Sequence, residues 1–237
     1  MEENNNKTRE EQNISEESNE NVLSKTEEFI DKHKKKISYV VGGIVLLVVL
    51  FIWYKNSYIK SQEEQAHQEM FMAETYFAKD SFKLALNGDG QYPGFLSIID
   101  EYGSTNAGNL ANYYAGICYL RLGQFEEAIK YLDEYSPRND VFLYATKNGS
   151  IGDAYMELGK IDDAIKYYKK AAYDKPNQFT SPFYLMKLGF AYEQLGELEK
   201  ALEVYEYIDK QYSKTNEGRK VEKYIARVKV KLNKEEI

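Results

Sequence analysis

A single cysteine, Cys118, excludes an internal disulfide. It falls in an apolar helical stretch and reads as a small buried hydrophobe. It does not identify a compartment, because a protein of an oxidising space needs no disulfide. Only two histidines are present, His33 and His67, far apart and with no cysteine beside them, so no metal site of ordinary spacing is expected. There is no Gly-rich phosphate loop, no HExxH and no GxSxG, and no Cys-His or Ser-His pair suited to a nucleophile and its base. The stretch "NGDGQYPGF" invites a calcium loop, but one starting at Asn87 would need Gly where Tyr92 stands and Glu where Ile98 stands. It reads instead as a turn between helices. Acidic residues are plentiful, yet they fall at exposed helix positions, where they are ordinarily just solvated. No enzyme, no metal and no cofactor are expected. Four prolines interrupt little, and Leu, Ala, Glu and Lys favour helix, so the fold class is all-α.

What is present begins with one apolar run. From Ile37 to Tyr54 there are 18 residues without a charge. At about 1.5 Å each they extend for roughly 27 Å, close to the hydrocarbon thickness of a bilayer. A core helix would keep a polar face, and this run has none after Ser38. Tyr39 at one end and Trp53 and Tyr54 at the other suit two interfaces. A cleaved signal fits less well, since 36 residues precede the run and "WYKNSYIK" after it lacks a small-x-small site. We therefore expect a permanent transmembrane helix over 37–54. Lys25, Lys32, Lys34, Lys35 and Lys36 precede it, whereas only Lys55 and Lys60 follow closely. That bias places the N-terminus in the cytoplasm and residues 55–237 across the membrane. Gly42 and Gly43 form no small-xxx-small pair, so a simple tether is expected.

Residues 1–22 are rich in Asn, Glu and Ser and bury too little to offset ordering entropy, so disorder is expected there. Ser24 followed by Glu27 is a capping box, which predicts a short basic juxtamembrane helix over 23–36. Its lysines would face anionic lipid headgroups.

Three later stretches align: "YYAGICYLRLGQFEEAIKYL", "GSIGDAYMELGKIDDAIKYY" and "MKLGFAYEQLGELEKALEVY". Each places Gly, Tyr, Gly and Ala at one spacing: Gly116, Tyr119, Gly123, Ala128; Gly152, Tyr155, Gly159, Ala164; Gly189, Tyr192, Gly196, Ala201. The units lie 36 and 37 residues apart. The pattern resembles the tetratricopeptide repeat (TPR), a helix A, a tight turn and a helix B. The first Gly is expected where two helices cross, with the Tyr three on filling the gap beside it. The second Gly is expected to end helix A in a left-handed conformation. Ala permits close approach in helix B, which Phe125, Ile161 and Leu198 begin. Three units are predicted over 106–212. A linker helix and a degenerate first unit precede them over 55–105, built from "MFMAETYFAKDSFKLALNG" and "YPGFLSIIDEYG". A capping helix follows over 213–237, because stacked repeats need a polar end. The formal charge is −7, and no basic aromatic surface emerges, so nucleic acid is not an expected partner.

By the repeat register, the concave face of the A helices carries Tyr113, Ile117, Leu120 and Arg121; then Asp153, Met156 and Glu157; then Phe183, Met186, Phe190 and Glu193. Some TPR proteins clamp a peptide carboxylate with Lys and Asn here. The corresponding Asn positions hold Ile117, Asp153 and Phe190, so that activity does not carry over. What remains is an apolar groove suited to an amphipathic or extended apolar segment of a protein partner. Equally, the chain's own helix around Met70 to Phe77 could fill it.

An acidic N-terminus, one Lys-flanked span and an exported TPR region, with "AGNLANYYAGICYLRLGQFEEAIKYL" opening the repeats, together resemble YfgM-type inner-membrane proteins, ancillary subunits of the SecYEG translocon. The resemblance implies a periplasmic TPR domain that pairs with a membrane-anchored prolyl-isomerase-like chaperone and helps hand over exported proteins. Two alternatives stand beside it: an adaptor in outer-membrane assembly or cell-wall coordination, and a direct holdase for unfolded chains.

Overall fold

A computed structural model of the chain describes residues 2–235, so the last two residues of the expected cap and the first of the expected tail lie outside the described residues. Side chains of the Ser24–Glu27 capping box also lie outside them. The chain divides into two units, residues 1–58 and 59–237.

In the first unit, helix α1 (Glu2–Ala78) already runs through the polar stretch 2–22, where disorder was expected, and past Ser24 without starting there. A helix pairs its own backbone groups and needs no core to do so, and Glu, Gln and Lys are good helix formers. Within α1 the apolar run stays exposed: Tyr39, Leu47, Phe51 and Trp53 are each more than 60% accessible. Among the described residues this is the one helix long and apolar enough to cross a membrane, and none of its apolar window is buried.

In the second unit, residues 59–78 of α1 are followed by the short α2 (Phe82–Asn87) and α3 (Phe95–Tyr102). The expected first repeat is thus broken. Gly88 and Gly90 take positive φ between α2 and α3, and the Asp89 carboxylate accepts the Gln91 and Tyr92 N–H groups at 2.9 and 2.7 Å. "NGDGQYPGF" is a turn held by its own aspartate, which also accepts the Tyr76 hydroxyl at 2.6 Å.

Six helices then form three hairpins. They are α4 (Asn106–Arg121) with α5 (Phe125–Glu134), α6 (Val141–Glu157) with α7 (Ile161–Lys169), and α8 (Ser181–Leu195) with α9 (Leu198–Tyr212). α7 runs on into a π-helical turn, Lys170–Asp174. Each hairpin packs on the next, and α10 (Gly218–Glu235) packs on α9. The punctuation follows the repeat. Gly123, Gly159 and Gly196 turn the chain at φ of 74, 70 and 83°, a conformation costly for any residue with a Cβ. Phe125, Ile161 and Leu198 are the first residues of α5, α7 and α9. Ala128, Ala164 and Ala201 are fully buried.

The first glycines sit where two helices cross, as expected, but the residue that fills the gap is not the expected tyrosine. A Cβ on Gly116, Gly152 or Gly189 would lie 2.5, 2.7 or 2.2 Å from Leu132, Tyr168 or Tyr205. The gap is therefore filled from helix B. Tyr119 and Tyr155 instead pair with Tyr131 and Tyr167, with ring centres 5.2 and 5.4 Å apart. A residue three beyond the glycine points back over its own turn, so the closest approach is left to a side chain crossing from the neighbouring helix.

Two cores result. One joins Met70 and Ala73 of α1 to Phe95 and Ile98 of α3 and to Ala111, Ala115 and Cys118 of α4. The other runs from α6 to α10 and contains Leu185, Leu188, Tyr205, Ile208, Val221 and Val228. Cys118 is buried, and that burial pushes its thiol up to about 12. α4 starts under a double cap: Thr105 accepts the Gly108 N–H at 2.9 Å, and Glu63 accepts the Asn106 and Ala107 N–H groups at 2.6 and 3.0 Å.

Candidate functional site: a groove across three A helices

The A helices α4, α6 and α8 line a groove that encloses about 820 Å³. α4 contributes Ile117, Leu120 and Arg121; α6 contributes Asp153, Met156 and Glu157; α8 contributes Phe183 and Phe190. These side chains were placed together by repeat register, and the structure brings them together. Phe183 and Phe190 remain 45% and 39% exposed, unusual for phenylalanines so near a core. The groove is thus unfilled by the protein's own side chains.

Two expected members are elsewhere. Met186 is only 8% exposed and belongs to the core of α6–α10. It lies one turn from Phe183 and Phe190, and the hairpin packing rotates that position inward. Tyr113 is half-buried, donates its hydroxyl to Thr146 at 3.2 Å and packs against Tyr135. The neighbouring Gly149 is covered by the Tyr184 ring. This half of the concave face is closed by tyrosine, and the groove occupies the half toward the turns at Gly123 and Phe125. Burial pushes the hydroxyls of Tyr113 and Tyr184 upward, so both stay neutral donors.

Glu193 is also withdrawn from the groove. Its carboxylate accepts the Tyr205 hydroxyl at 2.8 Å, an Arg227 N–H, and Lys231 Nζ at 2.9 Å. Burial alone would raise its pKa, but the donors Lys231, Tyr205 and Arg227 outweigh that and hold it below the usual carboxylate range. Arg227 and Lys231 of α10 thus reach inward to anchor the cap.

Register reasoning missed Lys187, Tyr168, Ser150 and Phe125, which also line the groove. Lys187 Nζ sits 2.7 Å from both oxygens of Asp153, and the Tyr168 hydroxyl donates to the same carboxylate at 2.7 Å. Burial and the Asp153 charge push the Tyr168 hydroxyl well above its ordinary value. Lys187 Nζ also lies 5.0 Å from the Phe183 ring centre. The centre of the groove is therefore a closed, neutral ion pair in an apolar surround. One signal pointed to it: Lys187 stands two residues before Gly189 of the repeat, one turn from the groove positions Phe183 and Phe190.

The helix expected as a rival occupant, Met70 to Phe77, is taken up elsewhere. Met70 and Ala73 are in the core with α3 and α4, and Phe77 lies edge-on to Phe82, Phe95 and Tyr114. Among the described residues, no group of three or more His, Cys, Asp or Glu is placed to hold a metal ion.

Residues 110–136 and 150–214 each match a family model described as tetratricopeptide repeat. Among solved structures, the chain is similar to nearly identical TPR-like repeats of a kinesin light chain from Podosopora anserina. The likeness has a TM-score of 0.53 at 14% identity and covers 70% of this chain and 86% of that one. A single-substitution form of the same repeats gives a TM-score of 0.52, also at 14% identity, covering 70% and 85%. At this identity the likeness is one of fold. No curated protein matches the chain. The chain carries tetratricopeptide repeats over these residues and folds as an all-α stack of helical hairpins. Repeats of this kind are protein–protein interaction scaffolds, and proteins are the ligand class they indicate.

Proposed function

We propose that this protein is a membrane-tethered, non-enzymatic scaffold that holds a protein partner in the groove of α4, α6 and α8. The observation that carries this reading is the pair of exposed phenylalanines, Phe183 and Phe190, beside Ile117, Leu120 and Met156 in an open groove. The tether is residues 37–54, whose apolar side chains from Tyr39 to Tyr54 are exposed and would be at ease only in lipid. The lysine bias before the span supports a cytoplasmic N-terminus and a repeat domain on the far side, in the periplasm. The arrangement of tail, span and repeats supports the finer assignment, a SecYEG-associated scaffold that engages a membrane-anchored prolyl-isomerase-like chaperone and assists handover of exported chains.

Two measurements test this. Protease added to sealed vesicles with their cytoplasmic face outward should leave residues 59–237 intact; digestion of that domain overturns the orientation. A photo-crosslinker at Leu120 in the full chain should capture translocon and chaperone, with capture lost in an Ile117→Asp/Phe190→Asp variant that keeps its helical content. Absence of both partners rejects the Sec assignment, and capture unaffected by the two aspartates rejects the groove.

A further inference from the structure

The groove contains four charged side chains, and they fall into two groups. Asp153 and Lys187 satisfy each other at its centre, with side chains 32% and 28% exposed. Arg121 and Glu157 are exposed at its rim and make no hydrogen bond or ion pair among the described residues. They occupy the same register position on adjacent A helices, five residues past Gly116 and Gly152. On α8 that position is the uncharged Gln194. Crossing from α4 to α8, an occupant therefore meets a positive charge on α4, then a negative one on α6, then on α8 the rings of Phe183 and Phe190, where the charge of Lys187 is closed by Asp153.

The backbone of the A helices is already hydrogen-bonded within each helix. An extended occupant would press its own unpaired N–H and C=O groups against a largely apolar wall, whereas a helical occupant carries its pairs with it. Neighbouring helices pack at about 8–10 Å, so the three A helices span roughly 20 Å, which a helix covers with about 13 residues. Two charges about 10 Å apart along such a helix are about seven residues, some two turns, apart and share one face.

We propose that the groove selects an amphipathic helix by the order of its charges. An acidic residue lies over Arg121, a basic residue about two turns further on lies over Glu157, and an uncharged apolar end sits between Phe183 and Phe190. A charge facing the closed Asp153–Lys187 pair is rejected, because it would be desolvated without a partner. This selection rests on the groove reading above and adds the chemistry and polarity of the partner to it.

The test uses the full chain in detergent micelles and a fluorescein-labelled synthetic helix of about 13 residues. The probe carries leucines on one stripe, a glutamate near one end and a lysine two turns on. Its twin has the two charges exchanged. Fluorescence anisotropy should show the probe binding about tenfold more tightly than the twin, a contrast that shrinks at high salt. Arg121→Glu/Glu157→Lys should reverse the preference, while Phe190→Asp should weaken both peptides alike. If probe and twin bind equally and both lose affinity in Phe190→Asp, the charge selection is wrong and the groove stands. If neither peptide binds, or Phe190→Asp changes nothing, both fall.

Discussion

Replacing Gly189 by alanine puts a methyl carbon into space that Tyr205 already occupies. The new Cβ would lie 2.2, 2.6 and 2.9 Å from three ring carbons, where about 3.4–4 Å is ordinary contact. Tyr205 has no room to yield, since it is fully buried and its hydroxyl is tied to Glu193 at 2.8 Å. Overpacking of this kind costs about 1–3 kcal/mol. Pulling the hydroxyl from a buried carboxylate adds about 1.5–3 kcal/mol. The intrinsic helix preference of alanine over glycine returns about 1 kcal/mol, which leaves a net loss of roughly 1.5–5 kcal/mol. For a unit the size of residues 59–237, that corresponds to a fall in Tm of about 4–13 °C. The measurement is the thermal loss of ellipticity at 222 nm for the full chain in detergent. Gly42→Ala, with nothing within 4 Å of its Cβ, serves as the control and should leave Tm in place. In the double variant Gly189→Ala/Tyr205→Leu the two losses should fall short of additivity, because the smaller side chain relieves the overlap. A fall of less than about 2 °C for Gly189→Ala alone would refute the close crossing of α8 and α9.

Three further outcomes are expected. Gly196→Ala has open space around its Cβ but φ of +83°, so it should cost only about 1–2 kcal/mol in the same melt, less than Gly189→Ala. Glu193→Gln should loosen α10 by about 2 kcal/mol at neutral pH, read as earlier hydrogen exchange in residues 218–235. Because the folded Glu193 carboxyl is held low, its contribution is complete above the unfolded value of about 4.3 and is lost as pH falls through the lower folded value. Wild type should therefore lose stability below about pH 4.3 more steeply than Glu193→Gln. Cys118, fully buried with its thiol raised to about 12, should resist a maleimide at pH 8 and react fully once urea unfolds the hairpins; reaction of the native chain would contradict its burial.

Hairpin punctuation was legible in the sequence because its causes are local. A glycine at positive φ, a bulky residue opening the next helix and a buried alanine all act within about one repeat, so their spacing alone predicts α4 to α9. Eight of eleven expected groove residues line the groove for the same reason, since one register applies to three copies. Met186 failed because a helix that packs on two neighbours turns inward a position that a regular repeat leaves open. The filling of the Gly116, Gly152 and Gly189 gaps by Leu132, Tyr168 and Tyr205 was missed because the residue that fills a crossing comes from the other helix.

By itself the sequence determined the all-α class, the helical hairpins and the single uncharged run, all of them consequences of patterns repeated along the chain. Only the tertiary structure decided which charges are occupied. Asp153 meets Lys187 across 34 residues, Glu193 meets Arg227 and Lys231 across 34 and 38, and the helix around Met70 is consumed by α3 and α4. Such pairings depend on which faces meet once helices stack. Periodicity specifies a face, and a partner exists only when another element arrives against it.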